Sequence, residues 1–278
     1  MAIFSRNKIG LALGSGGPRG LAHIGVIKTL IENKIPIDYI SGTSAGALVG
    51  GLYSYFRDIS KIQKIAEEMN ATKLLPLLSD ISLRDGLIKG SKIEDILKEH
   101  VGNTKIEDLK IPFVAVSVDL MTGKAIYIKK GPLYRAIRAS ISVPIVFSPV
   151  KSKGRMLVDG GIAHPVPVEA VRRLGAEKVI AVNLNSELYP EATGKEPTKP
   201  QDILYTTMDI FVHNLALKES EKADVVLSPI VKTKAGMDFM SFTKADEITK
   251  IGEKTTKKKI RQIRKLVYNP MLRLLGKS

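Results

Sequence analysis

Apolar residues in the first half of the chain arrive in short unbroken blocks that alternate with longer periodic ones. Ile9-Gly10-Leu11-Ala12-Leu13 is continuous and stops at glycines, the pattern of a strand buried on both faces. Residues 19–33 follow with Leu21, Ile24, Val26, Ile27, Leu30 and Ile31 near helical spacing, which predicts a helix. Residues 37–40 predict a second strand ending at Gly42, and residues 45–56, rich in Gly, Ala and Leu, a tightly packed helix. Residues 114–118 and 179–184 are further β-branched blocks, and residues 167–174 a helix candidate. Strands alternating with helices imply an α/β fold, a mostly parallel central sheet covered on both faces.

The second half is less regular. Residues 187–201 collect Pro190, Gly194, Pro197 and Pro200 among polar residues and predict an exposed loop. Residues 243–267 predict a long helix with Ser241 or Thr243 near its cap and Ile260, Ile263 and Val267 on one face. Pro270 stops it, and Met271-Leu272-Arg273-Leu274-Leu275 is a short apolar stub. The expected organisation is residues 9–172 carrying every candidate motif, residues 173–249 completing the same α/β fold, and residues 250–278 as a basic amphipathic tail.

Composition narrows the chemistry. With 44% hydrophobic and 26% charged residues, a chain of 278 residues can bury a core without staples. The absence of cysteine excludes disulfides, thiolate metal sites and cysteine nucleophiles. No window approaches the ~20 apolar residues of a membrane span, and the first residues lack the apolar run of a signal peptide, so a cytoplasmic protein is expected. The net charge of +15 is concentrated at the end of the chain. Lys250, Lys254, Lys257, Lys258, Lys259, Arg261, Arg264, Lys265, Arg273 and Lys277 face only Glu253, a net +9. Such a terminus attracts lipid headgroups or nucleic-acid phosphates. Nucleic acid is the weaker expectation, because no aromatic interleaving or known module accompanies the charge.

Three segments carry candidate chemistry. Gly42-Thr43-Ser44-Ala45-Gly46 matches G-x-S-x-G between a predicted strand and a predicted helix, the context of a nucleophile elbow. Gly14-Ser15-Gly16-Gly17-Pro18-Arg19-Gly20 lies between the first strand and the first helix, where free N–H groups bind anions. A phosphate loop would need Gly-Lys-Ser/Thr at the helix start, which is missing, and a dinucleotide fingerprint fits only with shifted spacing. Pro18 has no N–H, so the candidate donors are Ser15, Gly16, Gly17 and Arg19; an oxyanion hole and a purely structural turn both fit. Asp159-Gly160-Gly161 ends a predicted strand, and on its own reads as a turn. Of the four histidines, His23 is expected to pack, His100 and His213 to lie at the surface, and His164 is the rival base to Asp159.

These segments, in this order and together with Ala139-Ser140-Ile141-Ser142-Val143-Pro144, resemble the patatin-like phospholipase family. The resemblance runs over residues 8–184 and resumes over 241–252. It implies a three-layer α/β/α sandwich and a Ser44–Asp159 dyad, with Ser15, Gly16, Gly17, Arg19 and Ala45 forming the oxyanion and substrate-binding surroundings. It implies no metal and no cofactor. Ser15 stands where the family more often has glycine. The implied activity is a phospholipase A or lysophospholipase-type ester hydrolysis through an acyl-enzyme. A lipid transacylase and a vestigial membrane-lipid-binding protein are the alternatives. Expected partners are a phospholipid or other acyl ester and, through the basic tail, an anionic membrane surface on the inner face, with the apolar stripe of the tail either entering lipid or packing on the domain. A homo-oligomer is left open.

Overall fold

In a computed structural model, residues 6–69, 71–82, 87–188, 198–231 and 239–267 are described. Eight strands form one sheet: β1 (Ile9–Leu13), β2 (Tyr39–Thr43), β3 (Phe113–Asp119), β4 (Ala125–Ile128), β5 (Val150–Ser152), β6 (Arg155–Asp159), β7 (Lys178–Val182) and β8 (Val225–Leu227). Their order is β5-β6-β3-β2-β1-β7-β8, with β4 also paired to β3. The run from β3 to β8 is parallel, whereas β4, β5 and β6 pair antiparallel. The parallel centre matches the sequence expectation; the antiparallel end is not legible in the sequence, because β4 and β5 are only four and three residues long.

The helices are α1 (Ala22–Glu32), α2 (Ala45–Phe56), α3 (Ile59–Glu67), α4 (Ala71–Leu78), α5 (Ser91–Val101), α6 (Leu133–Ser140), α7 (Val168–Arg172), α8 (Pro200–Ser220) and α9 (Ala245–Val267). Alternation along β1 explains the layering. Ile9, Leu11 and Leu13 enter a core with Ile24 and Ile27 of α1, Val49 and Leu52 of α2 and Ile263 of α9. Ala12 faces the other way, into a core with Val168 and Val171 of α7 and Ala216 of α8. Burial on both faces is why β1 reads as an unbroken apolar block. The three-layer α/β/α sandwich is therefore present.

Boundaries shift where backbone geometry overrides periodicity. The glycine-rich loop enters α1 through a 3-10 turn (Gly17–Leu21), since Pro18 cannot donate and the first α-helical bonds begin later. β2 runs past residue 40 up to Thr43, so strand and helix meet at the intervening Ser44. At the other end a 3-10 turn (Phe239–Lys244) precedes α9. The tail splits at residue 267: the stub at 271–275, Pro270, Arg273 and Lys277 lie outside the described residues, as do residues 189–197 of the expected loop.

Up to residue 267 the tail packs on the domain. Ile248, Thr249, Gly252, Thr256, Ile263 and Val267 are buried, while Lys250, Lys254, Lys257, Lys258 and Arg261 point outward. Helices α1 and α9 approach through small residues: a Cβ on Gly25 would overlap the Thr249 carbonyl, and one on Gly252 the Ala22 carbonyl. Lys28 and Glu253 close the seam with an ion pair at 2.8 Å. The apolar stripe of this helix is thus spent inside the protein. Gly252→Ala tests the packing. Helix propensity alone favours Ala by ~1 kcal/mol, but overpacking typically costs about 1–3 kcal/mol and here meets backbone, so the clash wins. A melting temperature lower by several degrees is expected, against no change for the outward Lys258→Ala; equal melting curves would contradict the seam.

Candidate active site

Thr43 pairs with Val116 of β3, and Asp159 pairs with the next residue, Ser117. Two residues 115 apart in sequence, Ser44 and Asp159, therefore come off strands at adjacent positions of one neighbour. The turn residue Gly160 fits against Thr43, where its own Cβ would lie 3.1 Å from Thr43 Cγ2. Both Ser44 and Asp159 are buried and line one polar pocket.

Ser44 holds φ 56° and ψ −123°, a conformation that non-glycine residues rarely adopt. The strain persists because its surroundings overdetermine it. The Ser44 N–H donates to Ser140 Oγ at 2.9 Å, and that hydroxyl donates to the Val116 carbonyl at 2.6 Å. Gly46 cannot be larger, since a Cβ would collide with the Leu13 carbonyl. Two residues after Ser140, the Ser142 carbonyl accepts the Asp159 N–H at 2.9 Å. The segment formed by the end of α6 and the residues after it thus bridges the Ser44 turn and the Asp159 turn. Its sequence is legible as a motif; its bracing role is not, because the bonds span 96 and 17 residues.

Asp159 Oδ1 accepts the Gly161 N–H at 2.7 Å, while Oδ2 is buried with no hydrogen-bond partner. Desolvation pushes this carboxyl up to about 6; the nearby Ser44 hydroxyl and the Gly161 N–H pull against the shift. A carboxylate titrating near neutrality and facing a serine is suited to proton transfer.

The glycine-rich loop corrects two of its four expected donors. The Ser15 N–H is taken by the Pro165 carbonyl at 2.8 Å, and the Arg19 N–H by the Gly16 carbonyl at 3.1 Å. Among the described residues the Gly16 and Gly17 N–H groups have no backbone acceptor, and Ala45 opens α2, where an N–H has no intrahelical partner. Ser15 and Arg19 still line the pocket. Arg19 donates to the Gly16 and Leu184 carbonyls and to Asn185 Oδ1, and Asn185 donates to the Ser15 carbonyl and hydroxyl. This clamp ties the loop to the end of β7, and nothing local in the sequence marks Asn185 for it.

Among the described residues no histidine is hydrogen-bonded to Ser44, although the exposed His100 lines a cavity that Ser44 also borders. His23 is buried, held down to about 4 by desolvation, and donates from Nε2 to the Gly14 carbonyl at 2.8 Å, propping the loop from beneath. His164 pairs its Nδ1 with Glu219, and its Nε2 lies 3.4 Å from Tyr127 Oη, so neither nitrogen turns to Ser44. His213 is half-buried rather than a surface residue and bonds the Asn185 carbonyl. Among the described residues no three His, Asp or Glu side chains gather to hold a metal ion, and no helix is long and apolar enough to cross a membrane.

Ser44 also lines a second, apolar cavity of about 210 Å³, walled by residues such as Leu48, Leu52, Ile62, Ile96, Phe147 and Phe242. Buried Arg138 supports this wall. It donates to Ser142 Oγ and to the carbonyls of Gly90, Lys89 and Ser148, and lies 5.3 Å over the Phe147 ring. The polar pocket, of about 120 Å³, lies on the Asp159 side, so the serine stands between an apolar and a polar compartment.

Comparison with known proteins places the chain in a family. The family model for patatin-like phospholipase matches residues 11–172. An uncharacterized NTE family protein of Mycobacterium tuberculosis is 41% identical over 193 residues, 69% of this chain and 53% of that protein. The human patatin-like phospholipase domain-containing protein 6 is 33% identical over 190 residues, 66% of this chain and 14% of that protein. The neuropathy target esterase sws of Drosophila melanogaster is 33% identical over 186 residues, 65% of this chain and 13% of that protein. The chain thus spans about half, or much less, of the length of these relatives. Over more than half of its length it matches the family's own pattern, and the chain belongs to the patatin-like phospholipase family.

Proposed function

We propose that the protein hydrolyses acyl esters of lipids through a Ser44–Asp159 dyad. One observation carries this: a strained serine beside a buried carboxyl that titrates at about 6, at the junction of an apolar and a polar pocket. The acyl chain would occupy the apolar cavity, where each methylene removed from water contributes ~0.8 kcal/mol. Ser44 Oγ attacks the ester carbonyl and passes its proton to Asp159. The N–H groups of Gly16 and Gly17 receive the oxyanion, a role in which one lost donor typically costs about 10²–10³ in turnover. Collapse expels the alcohol, protonated by Asp159. Water, deprotonated by the same carboxylate, then frees the acid from acyl-Ser44. An acceptor alcohol in place of water would make the product an ester, so product analysis in added alcohol separates hydrolysis from transacylation.

An anionic bilayer is the proposed surface partner, met by the outward lysines and arginines of α9 rather than by its packed apolar stripe. Near such a surface each cation contributes ~1 kcal/mol.

A fluorophosphonate probe is expected to label Ser44, and Ser44→Ala to remove labelling and ester cleavage together; cleavage that survives the change refutes the mechanism. Since the base must be ionised, kcat/KM should rise with pH and level off above about 6. Asp159→Asn should abolish turnover yet stabilise the fold at neutral pH. The folded carboxyl, at about 6, keeps its proton where the unfolded one, at the ordinary 3.8, has released it, so its contribution to stability falls between those values as pH rises. Above that window the cost is about 3 kcal/mol, and the asparagine variant escapes it. Paired melting curves at pH 4 and pH 8 check this: the variant's advantage should appear only at pH 8. Replacing Lys254, Lys258 and Arg261 by Gln should weaken binding to anionic vesicles by about two orders of magnitude, and binding that is unaffected would exclude this face as the membrane contact.

A further inference from the structure

Helix α8 sends one face into the polar pocket. Tyr205, Met208, Asp209 and Val212 follow the i, i+3, i+4, i+7 spacing of a single helical stripe and line the pocket with Ser44 and Asp159. Among the described residues Asp209 is the one carboxylate there besides Asp159. It accepts no hydrogen bond and makes no ion pair among the described residues, so its carboxylate braces no part of the pocket wall. Arg19 lines the same pocket, and its Nε, Nη1 and Nη2 donate to the Gly16 and Leu184 carbonyls and to Asn185 Oδ1. Desolvation pushes the Asp209 carboxyl up, and only the charge of Arg19 works against this. A half-buried acceptor facing a small cavity, without a protein donor, is costly unless something else supplies one.

We propose that Asp209 is a specificity-determining residue that reads the leaving alcohol by accepting an O–H or N–H carried on it. The inference rests on the ester-hydrolase reading above and extends it to the other half of the substrate. With hydrocarbon assigned to the apolar cavity, the alcohol half is left to the 120 Å³ polar pocket. A carboxylate there favours alcohols bearing a donor, and two sources share that chemistry: a free glycerol hydroxyl and a headgroup ammonium. An alcohol with no donor leaves Asp209 unpaired and gains nothing from it. Sites built around a buried polar group discriminate strongly against ligands that cannot pair it.

The test uses the full chain and four esters of one fatty acid: a p-nitrophenyl ester, whose leaving group carries no donor; a monoacylglycerol, with hydroxyls only; a lysophosphatidylethanolamine, with hydroxyl and ammonium; and its 2-deoxy analogue, with ammonium only. The readout is kcat/KM for each lipid divided by that for the aryl ester, in wild type, Asp209→Ala and Asp209→Asn. Dividing by the aryl ester removes any general loss of active protein. The ratio should fall roughly 10- to 100-fold in Asp209→Ala for donor-bearing substrates. Asp209→Asn, which still accepts from a hydroxyl, should recover part of the monoacylglycerol ratio. A fall with monoacylglycerol assigns the hydroxyl as the ligand, and a fall with the 2-deoxy analogue assigns the ammonium. Ratios unchanged in both variants overturn the proposal even while Ser44-dependent cleavage of the aryl ester persists. If wild type and Ser44→Ala are alike on all four esters, it is the hydrolase reading that fails, and the assignment of Asp209 falls with it.

Discussion

The pairing of β3 with both β2 and β6 is the constraint on which the candidate site depends. Val116 holds Thr43 and Ser117 holds Asp159, so hydrogen-bond register fixes the separation of the two turns before any side chain packs. A slip by one residue would send each strand's side chains to the opposite face. Register is protected here because β3 is buried along its whole length, so a slip would exchange Val114 and Val116 with Phe113 and Ala115 between two close-packed cores. The crossbar from Ser140 and Ser142 then locks the turns to each other. The geometry at Ser44 is in this sense a property of the sheet.

A second consequence concerns where stability is given up. Ser44 sits in a strained conformation, and Asp159 keeps an unpartnered oxygen out of water. Either would be removed by substitution if stability alone mattered. The surroundings compensate with ordinary material: the fully buried strands β1 and β3, and helices α1 and α9 brought into backbone contact at Gly25 and Gly252. That seam also accounts for the C-terminal helix. Its cationic side is long enough to suggest a free tail, yet its small and apolar residues belong to the core that supports α1, the helix leading directly out of the glycine-rich loop.

Much of this is legible in sequence because the decisive residues are small or apolar and act locally. Ile9–Leu13 could only be a doubly buried strand, and Gly42-Thr43-Ser44-Ala45-Gly46 carries its turn within five residues. What escapes is set by distant partners. Whether the Ser15 N–H is free depends on a carbonyl at Pro165, and whether Arg19 reaches a ligand depends on Leu184 and Asn185. Neither acceptor has a local signature. The roles of Ser140 and Arg138 are hidden for the same reason, since a buried serine or arginine declares itself only once the carbonyls around it are known. Periodicity assigns α8 a helix no better, because apolar residues occur all round it.

That last feature separates the two halves of the molecule. Everything that touches the reacting atoms in the proposed mechanism lies before residue 162, within the segment that the family model matches. The wall of the polar pocket facing Ser44 comes from α8, beyond that segment. A wall that is sequence-remote from the chemistry can change without disturbing the register of β2, β3 and β6, so selectivity for the alcohol can vary while the reaction stays the same. The apolar cavity differs in this respect: its lining includes Ala45, Leu48, Val49 and Leu52 of α2, the helix that also carries the start of the nucleophile turn. Substitutions at those α2 positions would act on the Ser44 turn as well, whereas the Ile62, Ile96 and Phe242 walls of the same cavity, like the α8 wall of the polar pocket, lie away from it in sequence.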